Sequence, residues 1–313
     1  MDPEFVILGA GLAGCTLAWQ LKWRNVPVRL VDRCDTVTAS KVAAGLITPI
    51  TGKRFALDPH FESQFAAAVA FYRRVEAETG ERFFHQPGAV RFFRSADERE
   101  HFDAKRGLLA KHVADAQPAI PEGVVAPFGA MAMPYASRLD VAAYLTVSRQ
   151  ILNCHDGTFD TSTTATGIDC TGIGAFREQR LTSTLFQPAK GEILTLRIPG
   201  LKESRILHHG IWLAPLGDEL YRCGATYSWD ELDDVPTVAG RDELVTKLSA
   251  FLKLPFEVIS HDAATRPITV DRQPILMQVS DRHWAFNGLG SKGALLAPST
   301  AAMMVSFLVS GRP

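Results

Sequence analysis

The chain reads as an α/β fold: a Rossmann-type dinucleotide-binding domain joined to a second domain built on an antiparallel sheet. Three observations predict it. An apolar run, Phe5-Val6-Ile7-Leu8, leads into Gly9-Ala10-Gly11-Leu12-Ala13-Gly14, which opens a helical segment from Cys15 to Trp23. A second apolar run over 26–31 closes on Asp32, about twenty residues past the glycines, as in a βαβ nucleotide site. Val, Ile, Leu, Trp and Tyr alternate with polar residues over 192–198, 205–215 and 220–227, and Leu216-Gly217-Asp218-Glu219 supplies a turn, as in antiparallel strands.

Each part of the first unit has a physical task. Gly9 permits the tight turn, Gly11 lets backbone approach a pyrophosphate, and Gly14 lets the helix pack on the strand. The helix N-terminus, with Leu12 and Ala13, offers free N–H groups and a positive dipole end to phosphates. Asp32 can accept ribose hydroxyls. Next comes Ala39-Ser40-Lys41-Val42-Ala43-Ala44-Gly45-Leu46-Ile47-Thr48-Pro49, a stretch of small residues with a glycine turn. Phe61, Phe65, Val69, Tyr72 and Val75 recur at helical spacing before a Gly80 stop, a stripe that suits packing. Segments 89–93 and 123–128 read as strands or loops. The segment 139–152 reads as a helix with Leu139, Ala142, Ala143, Leu145 and Val147 on its apolar side. A strand over 163–170 enters the turn Thr171-Gly172-Ile173-Gly174. The helix expected at 241–254 places Leu244, Val245, Leu248, Phe251 and Leu252 on one side. Trp284-Ala285-Phe286 is a short strand ending in Asn287-Gly288-Leu289-Gly290-Ser291-Lys292-Gly293, and the last helix follows. Glycine-bearing strand–turn–helix units thus return near 165–175 and 284–300, so the nucleotide fold is discontinuous.

Composition narrows the function classes. A length of 313 residues suits two domains, or one large domain with an insertion. Lys plus Arg (33) nearly balances Asp plus Glu (34), with no basic stripe, so no nucleic-acid partner is expected. No membrane span is expected either: the apolar run over 294–309 is broken by Pro298 and Ser299, which suits a buried helix. The first apolar run is the opening strand and carries Asp2 and Glu4 before it, so no signal peptide is read there. Met1-Asp2-Pro3 has no assignment. The five cysteines, Cys15, Cys34, Cys154, Cys170 and Cys223, show no C-x-x-C spacing and are odd in number. They read as reduced thiols in a cytoplasmic protein with no metal site. His208-His209 lacks an acid or cysteine at ligand spacing, which also argues against metal.

The order of these motifs resembles the D-amino-acid oxidase/glycine oxidase superfamily of FAD-dependent amine oxidases. The resemblance is carried by 9–14, 39–49, 169–175, Arg266-Pro267 and 288–298. The last motif looks most like the oxidase half of the bifunctional enzymes that form 5-methylaminomethyl-uridine in tRNA. The resemblance implies FAD as cofactor and a set of residues to hold it. These are Gly9, Gly11, Leu12, Ala13, Gly14, Asp32 and Arg33 in the first unit, with Ser40, Ala44, Gly45 and Leu46 beside the pyrophosphate and the flavin ring. Thr171 and Gly172 lie at the middle turn, and Gly288, Leu289, Gly290, Ser291, Lys292 and Gly293 open the last helix toward the flavin. A helix N-terminus there stabilises negative charge on reduced flavin. The same resemblance makes Arg266 the partner of a substrate carboxylate, a task that suits a planar, always charged guanidinium. It makes Lys292 a cation that tunes flavin or oxygen chemistry, and puts Tyr227 on the substrate cavity wall, with Trp229 near it. Ordinary packing, a strand-end turn or a solvated loop remains the alternative reading at Ala44, Gly172, Tyr227 and Lys292, and a surface or structural arginine at Arg266. Lys53 and Arg54 can line the cavity or face solvent. One segment departs from the family: 153–164 is short, polar and threonine-rich where relatives carry a longer strand pair, which predicts a trimmed adenine pocket.

The resulting expectation is a Rossmann-type FAD-binding domain from 1–81, 131–186 and 262–313, with an antiparallel-sheet substrate domain from 82–130 and 187–261. The expected reaction is oxidation of a C–N bond in an amino acid or secondary amine by hydride transfer to flavin, with oxygen as acceptor. No catalytic acid or base is required for it. The alternatives are a flavin dehydrogenase or monooxygenase acting on a non-amine small molecule, and a non-catalytic FAD-binding protein. Oligomeric state is not legible.

Overall fold

The computed structural model describes residues 5–158 and 165–310. The segments 1–4, 159–164 and 311–313 lie outside the described residues, including Met1-Asp2-Pro3 and most of the threonine-rich stretch. Strand β1 (Phe5–Leu8), helix α1 (Leu12–Lys22) and strand β2 (Val28–Asp32) form the expected βαβ opening. Gly9 turns the chain at φ +92°, and Gly14 packs so closely that a Cβ would stand 1.9 Å from the Gly9 carbonyl oxygen. Helix α2 (Ala39–Val42) is a single turn capped by the Thr38 hydroxyl. Three short strands follow: β3 (Leu46–Ile47), β4 (Ile50–Thr51) and β5 (Ala56–Leu57). Helix α3 (Phe61–Thr79) buries Phe61, Ala68, Phe71, Tyr72, Val75 and Glu76 and stops at Gly80, φ +77°.

Strands β6 (Phe84–His85) and β7 (Ala89–Phe92) lead to helix α4 (Ala96–Leu109), then β8 (Ala130–Met133) and β9 (Ser137–Leu139). Helix α5 (Val141–Ile151), capped by Asp140, buries Val141, Tyr144, Leu145 and Ser148. That face differs from the expected stripe because Leu139 belongs to β9 and Ala142 is exposed. Next come β10 (His155–Asp156), β11 (Thr166–Asp169), α6 (Ile173–Arg177) and β12 (Ala189–Arg197). The run expected as one strand over 205–215 is two, β13 (Ile206–His208) and β14 (Trp212–Gly217), because Gly210 at φ +77° reverses the chain. Strand β15 (Leu220–Gly224) follows a turn with Asp218 and Glu219 both at positive φ. Helix α7 (Val238–Ser249), strands β16 (Glu257–Arg266), β17 (Ile275–Ser280) and β18 (His283–Asn287), and helix α8 (Gly293–Ser310) complete the chain.

Two large sheets organise these elements. The first runs β10-β2-β1-β11-β18-β17, parallel except that β17 pairs antiparallel with β18. Its strands come from the start, the middle and the end of the chain. The second runs β16-β12-β15-β14-β13-β7-β8, antiparallel except for the parallel β13–β7 pair. Strands β8 and β16 cross the expected domain boundaries at 130/131 and 261/262, since β16 keeps its ladder with β12 as far as the Ala189–Arg266 pair.

Alternation along the second sheet gives its faces different tasks. Val90, Leu194, Leu207, Leu213 and Cys223 pack with Leu244 and Leu248 of α7, which buries them. The opposite face turns toward the first sheet. Helix α8 corrects the expectation of no spanning stretch: Gly290–Val309 is long and apolar enough by length and composition to cross a membrane. Here it packs against α1 and α3, with Ala297, Ala301, Met304 and Val305 fully buried.

Candidate active site

One cavity of about 1060 Å³ runs between the two sheets. That volume stands at the top of the roughly 300–1,000 Å³ of ordinary small-molecule sites. Its wall includes Gly9, Gly11, Leu12, Ala13, Asp32, Arg33, Ser40, Ala44, Gly45 and Leu46. Thr171, Gly172, the whole loop from Gly288 to Gly293, Arg266 and Tyr227 complete the sequence-selected set. Gly14 alone of that set stands behind the wall, where it seats α1 on β1.

Local chemistry shapes the wall at each turn. Gly11 caps α1, and a Cβ there would stand 2.9 Å from the Ser40 hydroxyl, which itself accepts the Leu12 N–H at 3.1 Å. Asp32 accepts the Ala10 N–H at 2.9 Å and is ion-paired with Arg149. Burial pushes the Asp32 carboxyl up, but the Arg149 and Ala10 hydrogen bonds outweigh it and leave its pKa below the usual value. Arg149 is a wall residue that sequence reasoning missed. It lies 117 positions from Asp32, and no local pattern links them. Arg33 is engaged by Asp35 and Glu178. At the middle turn Thr171 donates from its backbone and hydroxyl to Asp169, at 2.9 and 2.6 Å. Asn287 ties this turn to the last one by donating to the Gly172 carbonyl at 3.0 Å. Gly45 adopts φ +68°, and a Cβ there would meet the Leu139 carbonyl oxygen at 2.0 Å.

At the other end, β16 delivers Arg266 beneath the second sheet. Its guanidinium lies where a side chain at residue 191 would be: a Cβ on Gly191 would stand 1.8 Å from Nη2. No acid pairs with it among the described residues, Nη1 is buried without a hydrogen-bond partner, and burial lowers its pKa from the ordinary arginine value. The guanidinium carbon stands 5.4 Å from the centre of the Tyr227 ring. Tyr227 accepts from Arg272 at 3.2 Å and meets Trp229 edge to face at 4.7 Å; both rings are exposed.

Lys292 lines the cavity in the loop before α8. Its ammonium pairs with Asp58 at 3.2 Å, and its side chain is 45% exposed. Lys53 and Arg54 face solvent. No metal-binding cluster occurs among the described residues, and all five cysteines are free.

The sequence from residue 4 to residue 306 matches the family described as "DAO: FAD dependent oxidoreductase". The chain belongs to this family of FAD-dependent oxidoreductases. FAD is its cofactor, and the glycine turns, the α1 N-terminus and Asp32 form a cradle that fits a dinucleotide. Among relatives, the "tRNA 5-methylaminomethyl-2-thiouridine biosynthesis bifunctional protein MnmC" of Idiomarina loihiensis is 23% identical over 96% of this chain and 55% of that protein. The chain thus spans about half the length of such bifunctional relatives. The "Putative thiamine biosynthesis oxidoreductase ThiO" of Rhizobium etli is 27% identical over 99% of this chain and 98% of its own length. Two solved structures share the fold. Glycine oxidase from Geobacillus kaustophilus has a TM-score of 0.78 at 19% identity, covering 99% of this chain and 95% of that one. Iminodiacetate oxidase from Chelativorans sp. BNC1 has a TM-score of 0.76 at 19% identity, covering 99% and 96%.

Proposed function

We propose that this oxidoreductase oxidises a C–N bond in an amino acid or secondary amine that carries a carboxylate. The observation that carries the reading is Arg266, a buried guanidinium in the cavity wall with no acid partner among the described residues. A buried charge without a counter-charge is costly, and a ligand carboxylate relieves that cost. Bound FAD supplies the hydride acceptor, held by the α1 N-terminus, Asp32, the 39–46 segment and the loop before α8. Arg266 fixes the carboxylate, and with it the position of the adjacent C–N bond. Tyr227 forms the wall beside it. The neutral amine needs no protein base, because its lone pair assists hydride departure from the carbon. Oxygen is the acceptor in this reading, and the free cysteines suit a reducing, cytoplasmic compartment.

The names of the relatives support an amine as reductant: glycine oxidase and iminodiacetate oxidase take small amines, and the MnmC proteins are named for a tRNA methylaminomethyl group. A small molecule suits this chain better than tRNA. The loop beside Arg266 carries Asp230, Glu231, Asp233 and Asp234, and Asp234 accepts the Thr265 N–H at 2.7 Å. Lys190 and Arg177 compensate Asp233 and Asp234, so the support lies in the overall charge: Lys plus Arg (33) nearly balances Asp plus Glu (34), without the basic excess that phosphates draw. The test is anaerobic mixing of purified holoprotein with glycine, sarcosine, iminodiacetate and a panel of D- and L-amino acids. Bleaching of the flavin absorbance by a carboxylate-bearing amine is expected. Reduction by a non-amine alcohol such as glycerol 3-phosphate, with none by any amine, overturns the proposal.

A further inference from the structure

The floor of the cavity is one row of residues across the second sheet. Backbone pairing places Arg91 (β7) beside His208 (β13), His208 beside Trp212 (β14), Trp212 beside Gly224 (β15) and Gly224 beside Ile193 (β12). All five line the cavity. The row begins at the Arg266 end and finishes at a polar end that the carboxylate anchor does not use. There His208 is enclosed by protein, its Nδ1 has no hydrogen-bond partner, and burial followed by the nearby Arg91 charge lowers its pKa to about 3. The imidazole is therefore neutral, with one donor and one acceptor. Arg91 Nε is also buried without a partner, while the Arg91 charge is met by Glu98 at 2.7 Å. This end offers hydrogen bonds around an already compensated charge, which suits a neutral hydroxyl better than a second carboxylate.

We infer that His208 and Arg91 form a distal subsite that selects amino-acid substrates carrying a hydroxyl at the far end of a flat side chain. The inference rests on Arg266 as carboxylate anchor. The Arg266 guanidinium lies over Gly191, one two-residue step along β12 from Ile193. Three strand spacings of about 4.8 Å and that step put His208 about 15 Å away. Hydrogen bonds of about 3 Å at each end leave about 9 Å between the ligand's polar atoms, the length of a para-hydroxyphenyl amino acid. The Trp212 indole forms the wall between the two ends, and Gly224 leaves room beneath it: a Cβ there would stand 2.8 Å from the indole.

The test is titration of holoprotein with two non-reacting acids, 3-phenylpropanoate and 3-(4-hydroxyphenyl)propanoate, read as perturbation of the flavin absorbance. The hydroxylated acid should bind wild type roughly tenfold more tightly. His208→Leu should level the two while keeping 3-phenylpropanoate affinity within about twofold, and His208→Gln, which retains hydrogen bonding, should restore part of the preference. Equal binding of the two acids to wild type, or an unchanged preference in His208→Leu, overturns the subsite alone. Arg266→Ala should weaken both acids together. If it changes neither, the carboxylate anchor fails and the subsite with it.

Discussion

Gly14→Ala is a direct probe of how the cofactor cradle is built. The added methyl would stand 1.9 Å from the Gly9 carbonyl oxygen and 3.1 Å from Ile7 Cγ2. The close neighbour is the backbone carbonyl of the turn after β1, which cannot swing aside as the end of a flexible side chain would. Restoring a contact of about 3.2 Å requires α1 to move more than about 1 Å from the strand. Overpacking of this kind costs about 1–3 kcal/mol, and at roughly 2 °C per kcal/mol the apoprotein should melt about 2–6 °C lower. The same displacement carries Gly11, Leu12 and Ala13 away from the cavity wall they line. Losing one hydrogen bond to a charged phosphate is worth about 1.5–3 kcal/mol, so FAD affinity should fall roughly 10- to 150-fold. The assays are FAD released per chain on denaturation, titration of apoprotein with FAD, and a melting curve of the apoprotein. Gly80→Ala is the contrast: it places a side chain at positive φ (+77°), where its Cβ meets nothing within 4 Å, so it carries backbone strain without a clash. It should cost about 1 kcal/mol of stability and leave FAD affinity alone. A Gly14→Ala protein with wild-type FAD affinity and melting temperature would refute the packing argument.

Gly11→Val should abolish FAD binding, because a branched side chain fills the space between the α1 N-terminus and Ser40; FAD content of the purified variant checks this. Glu98 governs acid stability at the distal end of the cavity. Burial pushes its carboxyl up, but hydrogen bonds from Arg94 and Arg91 outweigh this and hold it at about 2, below the ordinary 4.5. A depressed carboxylate adds stability above its unfolded pKa and loses it as pH falls from about 4.5 to about 2, so unfolding free energy should fall in that window for wild type and fall less steeply for Glu98→Gln. Lys292→Met should leave FAD content unchanged and, because it removes a half-exposed ion pair with Asp58, shift the melting temperature by no more than about 2 °C.

The parts of the fold legible in the sequence are those whose cause is local. The Phe5–Leu8 strand, the glycine turn and α1 follow one another without help from elsewhere. Gly45 and Gly288 also announce themselves, since each stands at positive φ with a Cβ position blocked by a neighbour. Helix α4 escaped a reading based on apolar periodicity because its sequence is largely polar. Its capping signal, Ser95 followed three residues later by Glu98, was present and could have found it. Partners far apart in sequence were not legible. Asp32 takes Arg149, and Lys292 takes Asp58, which lies 234 positions away. His208 becomes a cavity residue only because β13 lies beside β7, a strand over a hundred positions earlier, and that pairing leaves no periodic trace in either segment.

The central claim, a carboxylate-bearing amine held by Arg266, is tested most directly by the reductive half-reaction of Arg266→Ala. The amine that bleaches wild-type flavin fastest is mixed anaerobically with wild type and variant over a range of concentrations. Removing a charge-assisted pair worth about 1.5–3 kcal/mol should raise the half-saturating concentration roughly 10- to 150-fold, with FAD content unchanged. Methylation of the substrate carboxylate should weaken wild type to a similar extent and add little to the loss in Arg266→Ala. Wild-type saturation behaviour in Arg266→Ala, or an equal penalty for the methyl ester in both proteins, would contradict the account.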